Sequence, residues 1–425
     1  MPHDIALPAL LQRLRPSRSR AAIVTLLLIT LAAAGCSHKN VLGPERIGSA
    51  SASATFARPA SDEPVHLEGR SASGALWVID KPARWNGALV VYMHGYVFPY
   101  LPATLPAIDA IRDSLLARGY ALAASGYSRS GYAEEGVRET HELNLIFTSR
   151  VFPPRRTYLF GQSLGGLIEM ILSQDEPHRY DGSLLVGGIV GGSDDEVQYL
   201  GDIRVLFDAV YPDTLPGDLE HPPVVTDVNR QVAGPVIAAI HANPQGLGII
   251  QALARHPLPG NTPDEIVESL ITVLSFDILG AKDLLARCGG DHFFDNANHV
   301  YASPALPQPL LDDINARVAR YARGPQASEF LARFGEPAGA FSVPVMTLHT
   351  TRDPVVPYFH EGLLAQVAAS PNLIQHGVDR YGHIRFTTGE LMSQFDEMVR
   401  WSESRRKPIA GAHEREESRM AGTTR

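Results

Sequence analysis

The chain holds only two cysteines in 425 residues, Cys36 and Cys288, so no disulfide framework can staple it. It has no arginine-rich stripe or basic patch, and its net charge of -9 is mildly negative. Both facts argue against nucleic-acid binding. Internal repeats at solenoid or propeller periods are absent. The apolar run from Ala21 to Ala34 is too short to span a bilayer comfortably. What remains is an ordinary apolar fraction in a chain long enough for one large core or two domains.

The N-terminus carries an export pattern. Arg13, Arg15, Arg18 and Arg20 precede the apolar run, which ends in Ala33-Ala34-Gly35-Cys36 with Leu31 just upstream. A basic segment, a short apolar core and small residues are the parts of a signal peptide. Small residues followed by cysteine resemble the lipobox of bacterial lipoproteins. That resemblance implies cleavage before Cys36, with residues 1–35 as signal peptide, and lipidation of Cys36 through its sulfur. Ser37 in place of aspartate then points to the outer membrane, with the periplasmic side as the alternative. An ordinary cleaved signal or an uncleaved anchor is the competing reading. Residues 36–63 are rich in Ser, Ala, Gly and Pro and read as a flexible tether.

From Val65 the pattern alternates strands and helices, which signals an α/β sheet. Val65–Arg70 and Ala75–Asp80 predict an antiparallel opening pair. Ala88–His94, Tyr120–Ser125, Thr157–Phe160 and Leu184–Val190 predict buried strands, separated by helices at Leu105–Arg118 and Gly136–Arg150. Beyond Gly191-Gly192 the character changes. Residues 193–340 show helical runs at Ile203–Val210, Val236–Ala242, Glu265–Leu274, Ala281–Ala286, Leu310–Tyr321 and Ser328–Phe334, with proline-rich links. This stretch reads as a helical cap or lid inserted between 64–192 and 341–402, the two parts of a catalytic core. Strands resume at Val343–His349 and Leu373–Val378, and a last helix is predicted at Thr388–Arg400. Residues 403–425 are charged and unpatterned, which predicts disorder.

The chemistry centres on Gly161-Gln162-Ser163-Leu164-Gly165, a G-x-S-x-G run between a strand-like and a helix-like segment. That context is the one the motif requires. Glycines at Gly161 and Gly165 permit a sharp turn, and the following helix aims free N–H groups at the serine. A serine hydroxyl is a poor nucleophile near neutral pH and needs a base with an orienting carboxylate. In a fold of this kind the chain order is Ser, then acid, then His. Asp353 follows the strand ending at His349, in a loop stiffened by Pro354 and Pro357. Asp194 and Asp195, after Gly192, are the other acid candidates. His383, beside Gly382, follows the last strand and precedes the last helix. Its rivals are His376, inside a strand, and His349, which precedes the acid. Two backbone donors are needed for an oxyanion. Leu164 N–H supplies one, and Tyr96 N–H, after His94-Gly95, is the choice for the other.

With these residues in view, the chain resembles an α/β-hydrolase-fold serine hydrolase of the secreted bacterial esterase or lipase type. His94-Gly95, Gly161–Gly165, Asp353–Pro357 and Gly382-His383 carry the likeness, over roughly Val65–Gly192 and Val343–Trp401. The resemblance implies a mostly parallel sheet with helices on both faces. It also implies Ser163 as nucleophile, Asp353 as acid, His383 as base, and carboxylic-ester hydrolysis through an acyl-enzyme. Such chemistry requires no metal or cofactor, and the implied partners are a small-molecule or lipid-like ester and a membrane. A peptidase of the prolyl-oligopeptidase-like branch, without room for that branch's propeller, is one rival. A non-catalytic surface-binding lipoprotein is another.

Other features have plainer readings. Asp291, His292, Asp295 and His299 match no strong zinc spacing and read as a loop near the substrate entrance. Cys288 reads as a buried small residue. Phe98, Tyr100, Tyr127, Tyr132, Phe207 and Tyr211 are candidates for an acyl pocket, against the alternative of plain core. Arg129 reads as a solvated loop charge.

Overall fold

The computed structural model describes residues 63–368 and 370–408. The signal peptide, Cys36, nearly all of the tether and most of the tail lie outside the described residues. Strands β1 (Val65–Arg70) and β2 (Leu76–Lys81) form the antiparallel opening pair. β2 continues antiparallel onto β4 (Ala121–Ser125). The rest of the sheet is parallel: β3 (Ala88–Met93) beside β4, then β5 (Arg156–Gln162), β6 (Gly182–Val186), β7 (Val345–Arg352) and β8 (Leu373–Tyr381). The order across the sheet is β1-β2-β4-β3-β5-β6-β7-β8.

Both faces of the sheet are covered, which is why its central strands read as continuous apolar runs rather than alternating ones. Successive residues of a strand point to opposite faces. Val90, Tyr92, Phe160, Val186 and Leu348 pack on one side with α1 (Asp109–Ala117) and α11 (Thr388–Ser404). Leu89, Val91 and Leu159 pack on the other with α2 (Ala133–Arg150) and α3 (Leu164–Asp175). This is the α/β-hydrolase architecture expected above. Between β6 and β7 the chain forms α4 (Ser193–Val210), a single π-helical turn (Asn229–Ala233), α5 (Gly234–Ala242), α6 (Gln245–Leu253), α7 (Pro263–Arg287), α8 (Gln308–Arg317) and α9 (Pro325–Arg333). Helix α10 (Phe359–Val367) follows β7. No helix among the described residues is long and apolar enough to cross a membrane.

Several elements differ from expectation for identifiable reasons. The two runs Glu265–Leu274 and Ala281–Ala286 are one continuous 25-residue helix, α7. The segment between the two runs holds the polar and glycine residues Ser275, Asp277 and Gly280, but tertiary burial of Leu274, Ile278 and Ala281 carries the helix through. β6 ends at Val186, not Val190, because Gly187 turns the chain with φ 54°. Helix α11 runs on to Ser404, past the predicted Arg400, because buried Trp401 anchors its last turn. α6 and α10 were missed: α6 contains two glycines and α10 begins directly after a proline-stiffened loop.

Candidate active site

The ends of β5, β6, β7 and β8 lie side by side, and each contributes one part of a site. At the end of β5, Ser163 sits at φ 57°, ψ -123°. A non-glycine residue in that region costs about 1–3 kcal/mol, and such strain is held only where surrounding structure demands it. The demand is visible here. A Cβ on Gly161 would lie 2.4 Å from Gly165 O, and one on Gly165 would lie 2.1 Å from Met93 O. The turn is therefore so tight, and α3 so close to the end of β3, that only glycine fits at both places. Ser163 N–H donates to Val186 O at 3.0 Å, which ties the elbow to the adjacent β6 end.

At the end of β7, Asp353 is fully buried. Its Oδ1 accepts from the N–H groups of Val355 at 2.9 Å and Val356 at 3.1 Å. Its Oδ2 accepts from His383 Nδ1 at 2.7 Å. Burial alone would raise the Asp353 pKa. The charge and hydrogen bond of His383, the charge of His349 and the Val356 N–H outweigh it and hold the carboxyl below its usual range. His383 follows β8 on the turn at Gly382, whose φ is 102°. With Nδ1–H committed to Asp353, Nε2 is left as the basic nitrogen. Gly187, next to the residue that binds Ser163 N–H, packs under this pair. A Cβ there would lie 3.6 Å from His383 Cε1 and 3.7 Å from Asp353 Oδ2. Ser163 and His383 thus follow strands β5 and β8 at the same edge of the sheet, with the ends of β6 and β7 between them, while Ser163 Oγ itself hydrogen-bonds to no group among the described residues. Catalytic hydrogen bonds often tighten only when substrate binds.

The loop after β3 covers the serine. A Cβ on Gly95 would lie 3.0 Å from Ser163 Cβ and 3.4 Å from its Oγ. Neither Tyr96 N–H nor Leu164 N–H is taken up by a turn, loop or cap hydrogen bond among the described residues. The Tyr96 side chain is held from α7: its hydroxyl donates to Asp283 Oδ2 at 2.9 Å. That oxygen also accepts from Ser130 Oγ at 2.6 Å and Arg287 Nε at 3.0 Å. Arg287 in turn reaches Glu135 at 2.9 Å, so four elements meet at one buried charge cluster.

An apolar cavity opens onto Ser163. Tyr96, Tyr132, Leu200, Phe276, Leu284 and Phe293 supply much of its wall. Of the aromatic residues expected to line an acyl pocket, only Tyr132 does so. Tyr127 is buried core and donates its hydroxyl to His94 O. Phe207 and Tyr211 pack on each other, Phe98 stacks on Tyr100, and Tyr100 is exposed. Phe276 was missed because which face α7 turns inward is not a local property of its sequence; its signal was helical spacing with Gly280 and Leu284 along one side of α7. Phe293 lies in the loop after α7 and carries no periodic signal.

The remaining candidates fall elsewhere. Asp194 pairs with Arg323, and neither it nor Asp195 hydrogen-bonds to His383. His376 lies within β8 opposite Leu348. His349 is buried on β7 beside Asp353. Asp291 and Asp295 accept backbone N–H groups, His292 stacks on Tyr321 and His299 meets Tyr301 edge-on, so these four do not converge. Cys288 is buried. Arg129 is largely exposed, 3.7 Å from Glu135 and 3.9 Å from Asp283.

No family model matches the chain, and no curated protein does. Solved structures overlay it at low identity. An esterase of Pyrococcus furiosus is 12% identical with a TM-score of 0.39, covering 85% of this chain and 100% of that one. The mouse alpha/beta hydrolase domain-containing protein 10 is 11% identical with a TM-score of 0.39, covering 79% and 98%. An acylaminoacyl peptidase of Pyrococcus horikoshii is 11% identical with a TM-score of 0.40, covering 80% of this chain and 41% of that chain. Likeness at this level assigns no activity.

Proposed function

We propose that the protein is a serine hydrolase of carboxylic esters, with Ser163 as nucleophile, His383 as base and Asp353 as its orienting acid. The observation that carries the reading is the 2.7 Å hydrogen bond between buried Asp353 and partly buried His383, at the sheet edge that also carries a strained, positive-φ Ser163. In the proposed reaction His383 Nε2 takes the hydroxyl proton as Ser163 Oγ attacks the ester carbonyl. Tyr96 N–H and Leu164 N–H receive the oxyanion. The proton passes to the departing alkoxide, and the alcohol leaves. Water, deprotonated by His383, then releases the acid from the acyl-enzyme. The apolar cavity favours an ester with an apolar acyl group over a peptide. Export and lipidation at Cys36 belong to the same reading and rest on the leader sequence.

The reading is tested by labelling with a fluorophosphonate and by parallel assays on p-nitrophenyl acyl esters and chromogenic peptides. Stoichiometric labelling at Ser163 with ester turnover supports it. Peptide turnover without ester turnover would support the peptidase instead, and a folded, unlabelled protein a non-catalytic binder.

The cavity makes a further prediction. Gly280 lies inside α7 and lines the cavity, and a Cβ there would meet nothing within 4 Å. Packing does not require glycine at this place, so Gly280→Ala is expected to stabilise the fold by about 0.5–1 kcal/mol through helix propensity. Gly280→Leu instead puts a side chain into the cavity. It should lower kcat/KM on long-chain esters by about 10–100-fold while acetyl-ester turnover changes little. Thermal melts and an acyl-length profile read both effects.

A further inference from the structure

A second histidine converges on Asp353. His349, on β7, is fully buried, and its Nε2 lies 3.7 Å from Asp353 Oδ2, the oxygen that binds His383. That Nε2 is 2.8 Å from the carbonyl oxygen of Val356, while Nδ1 is 3.0 Å from Glu361 Oε1. A carbonyl oxygen can only accept, so Nε2 carries a hydrogen. Glu361 Oε2 meanwhile accepts from Thr347 Oγ1 at 2.7 Å and from Gln375 Nε2 at 2.6 Å. A carboxyl group surrounded by donors in this way is an ionised acceptor, and its second oxygen then accepts from Nδ1. Both ring nitrogens therefore donate, which describes an imidazolium.

The surroundings fit that charge. Burial alone would lower the His349 pKa, but the hydrogen bond and charge of Glu361, the charge of Asp353 and the Val356 carbonyl raise it overall. On the neighbouring side, His360 is held down to about 3 by burial and by the charge of His349. His360 Nδ1 accepts from Gly191 N–H at 3.1 Å, so its other nitrogen donates to Glu196 at 2.9 Å. The ionisable groups around His349 are therefore Glu361 on α10, Asp353 after β7, and His360 and Glu196 at longer range. The Tyr358 ring stands edge-on at 5.7 Å.

We propose that His349 is a positioning residue for the reaction: a doubly protonated ring that, paired with Glu361, holds Asp353 ionised and aimed at His383. The proposal rests on the Ser163–His383–Asp353 reading above. His349 touches neither substrate nor the reacting atoms. Its cation opposes protonation of the Asp353–His383 pair, so removing it should make that pair easier to protonate. The base must be neutral to act, and activity is lost as pH falls through its pKa. In His349→Gln the acid limb of the kcat/KM profile should therefore move to higher pH, by about 0.5–1 unit for a charge lost at this range in a protein interior.

The test compares wild type, His349→Gln and Glu361→Gln on a soluble p-nitrophenyl ester. Glu361→Gln removes the anion that keeps His349 charged, so its limb should move in the same direction. A purely structural histidine would lower the thermal midpoint or kcat without moving the limb. A stationary limb in folded His349→Gln overturns the proposal. Should the variants fail to fold, long-range proton–nitrogen NMR of the wild-type ring decides: two protonated nitrogens at pH 7 support it, one unprotonated nitrogen overturns it. Fluorophosphonate labelling separates the two readings. A labelled wild type with a stationary limb removes only the role of His349, whereas an unlabelled wild type removes the triad.

Discussion

Replacing Ser163 with alanine is expected to lower kcat on esters by roughly 10⁵–10⁶-fold and to abolish fluorophosphonate labelling. The elbow already holds a residue with a Cβ at φ 57°, so alanine adds no new backbone strain. The Asp353–His383 hydrogen bond does not pass through the serine and should survive. What is lost is the atom proposed to form the acyl-enzyme. A residual rate above water, from the backbone N–H groups and binding alone, is expected. Active-site titration and single-turnover kinetics measure the loss, and circular dichroism checks the fold. A variant that keeps more than about a hundredth of wild-type kcat would mean that another group performs the chemistry.

Asp353→Asn is expected to lower kcat by about 10⁴-fold with little change in KM. The hydrogen-bond pattern supplies the reason. Val355 and Val356 N–H groups both donate to Oδ1, so the asparagine carbonyl oxygen is drawn to that place. Its amide NH₂ then faces His383 Nδ1, where the carboxylate now accepts. The imidazole must turn Nδ1 into an acceptor and place its hydrogen on Nε2, the nitrogen that has to receive the serine proton. The variant is thus expected to fold with the wrong tautomer. Steady-state kinetics reads the loss, and nitrogen chemical shifts of His383 read the tautomer. An Asn variant with near-native kcat would move the acid role away from Asp353.

Parts of this site were legible because their causes are local. The G-x-S-x-G turn needs glycine at Gly161 and Gly165 for reasons that lie within a few residues and one neighbouring strand. Asp353 and His383 could be chosen from their order and from loops that follow strands, and the structure places their side chains in contact. The same logic failed for the pocket. An aromatic residue looks alike in core and in cavity wall, and five of the six candidates proved to be packed or exposed elsewhere. Phe276 and Phe293 line the cavity because of how α7 and the loop after it lie against the sheet domain. His349 shows the limit from another side. It is visible in the sequence as a histidine shortly before Asp353, but its partner Glu361 comes from α10, and Gln375, which holds Glu361, from β8.

The order of residues along the chain was therefore enough to define the alternation of strands and helices and the sharp turn at Ser163, and to single out an aspartate and a histidine whose side chains meet. Each depends on backbone geometry and spacing that a short segment carries by itself. Only the tertiary structure decided which helix faces enclose the cavity, that α7 runs unbroken past Gly280, and that a buried ion pair stands beside Asp353. Those outcomes depend on which distant surfaces exclude water together, and burial at long range leaves no periodic mark in the sequence.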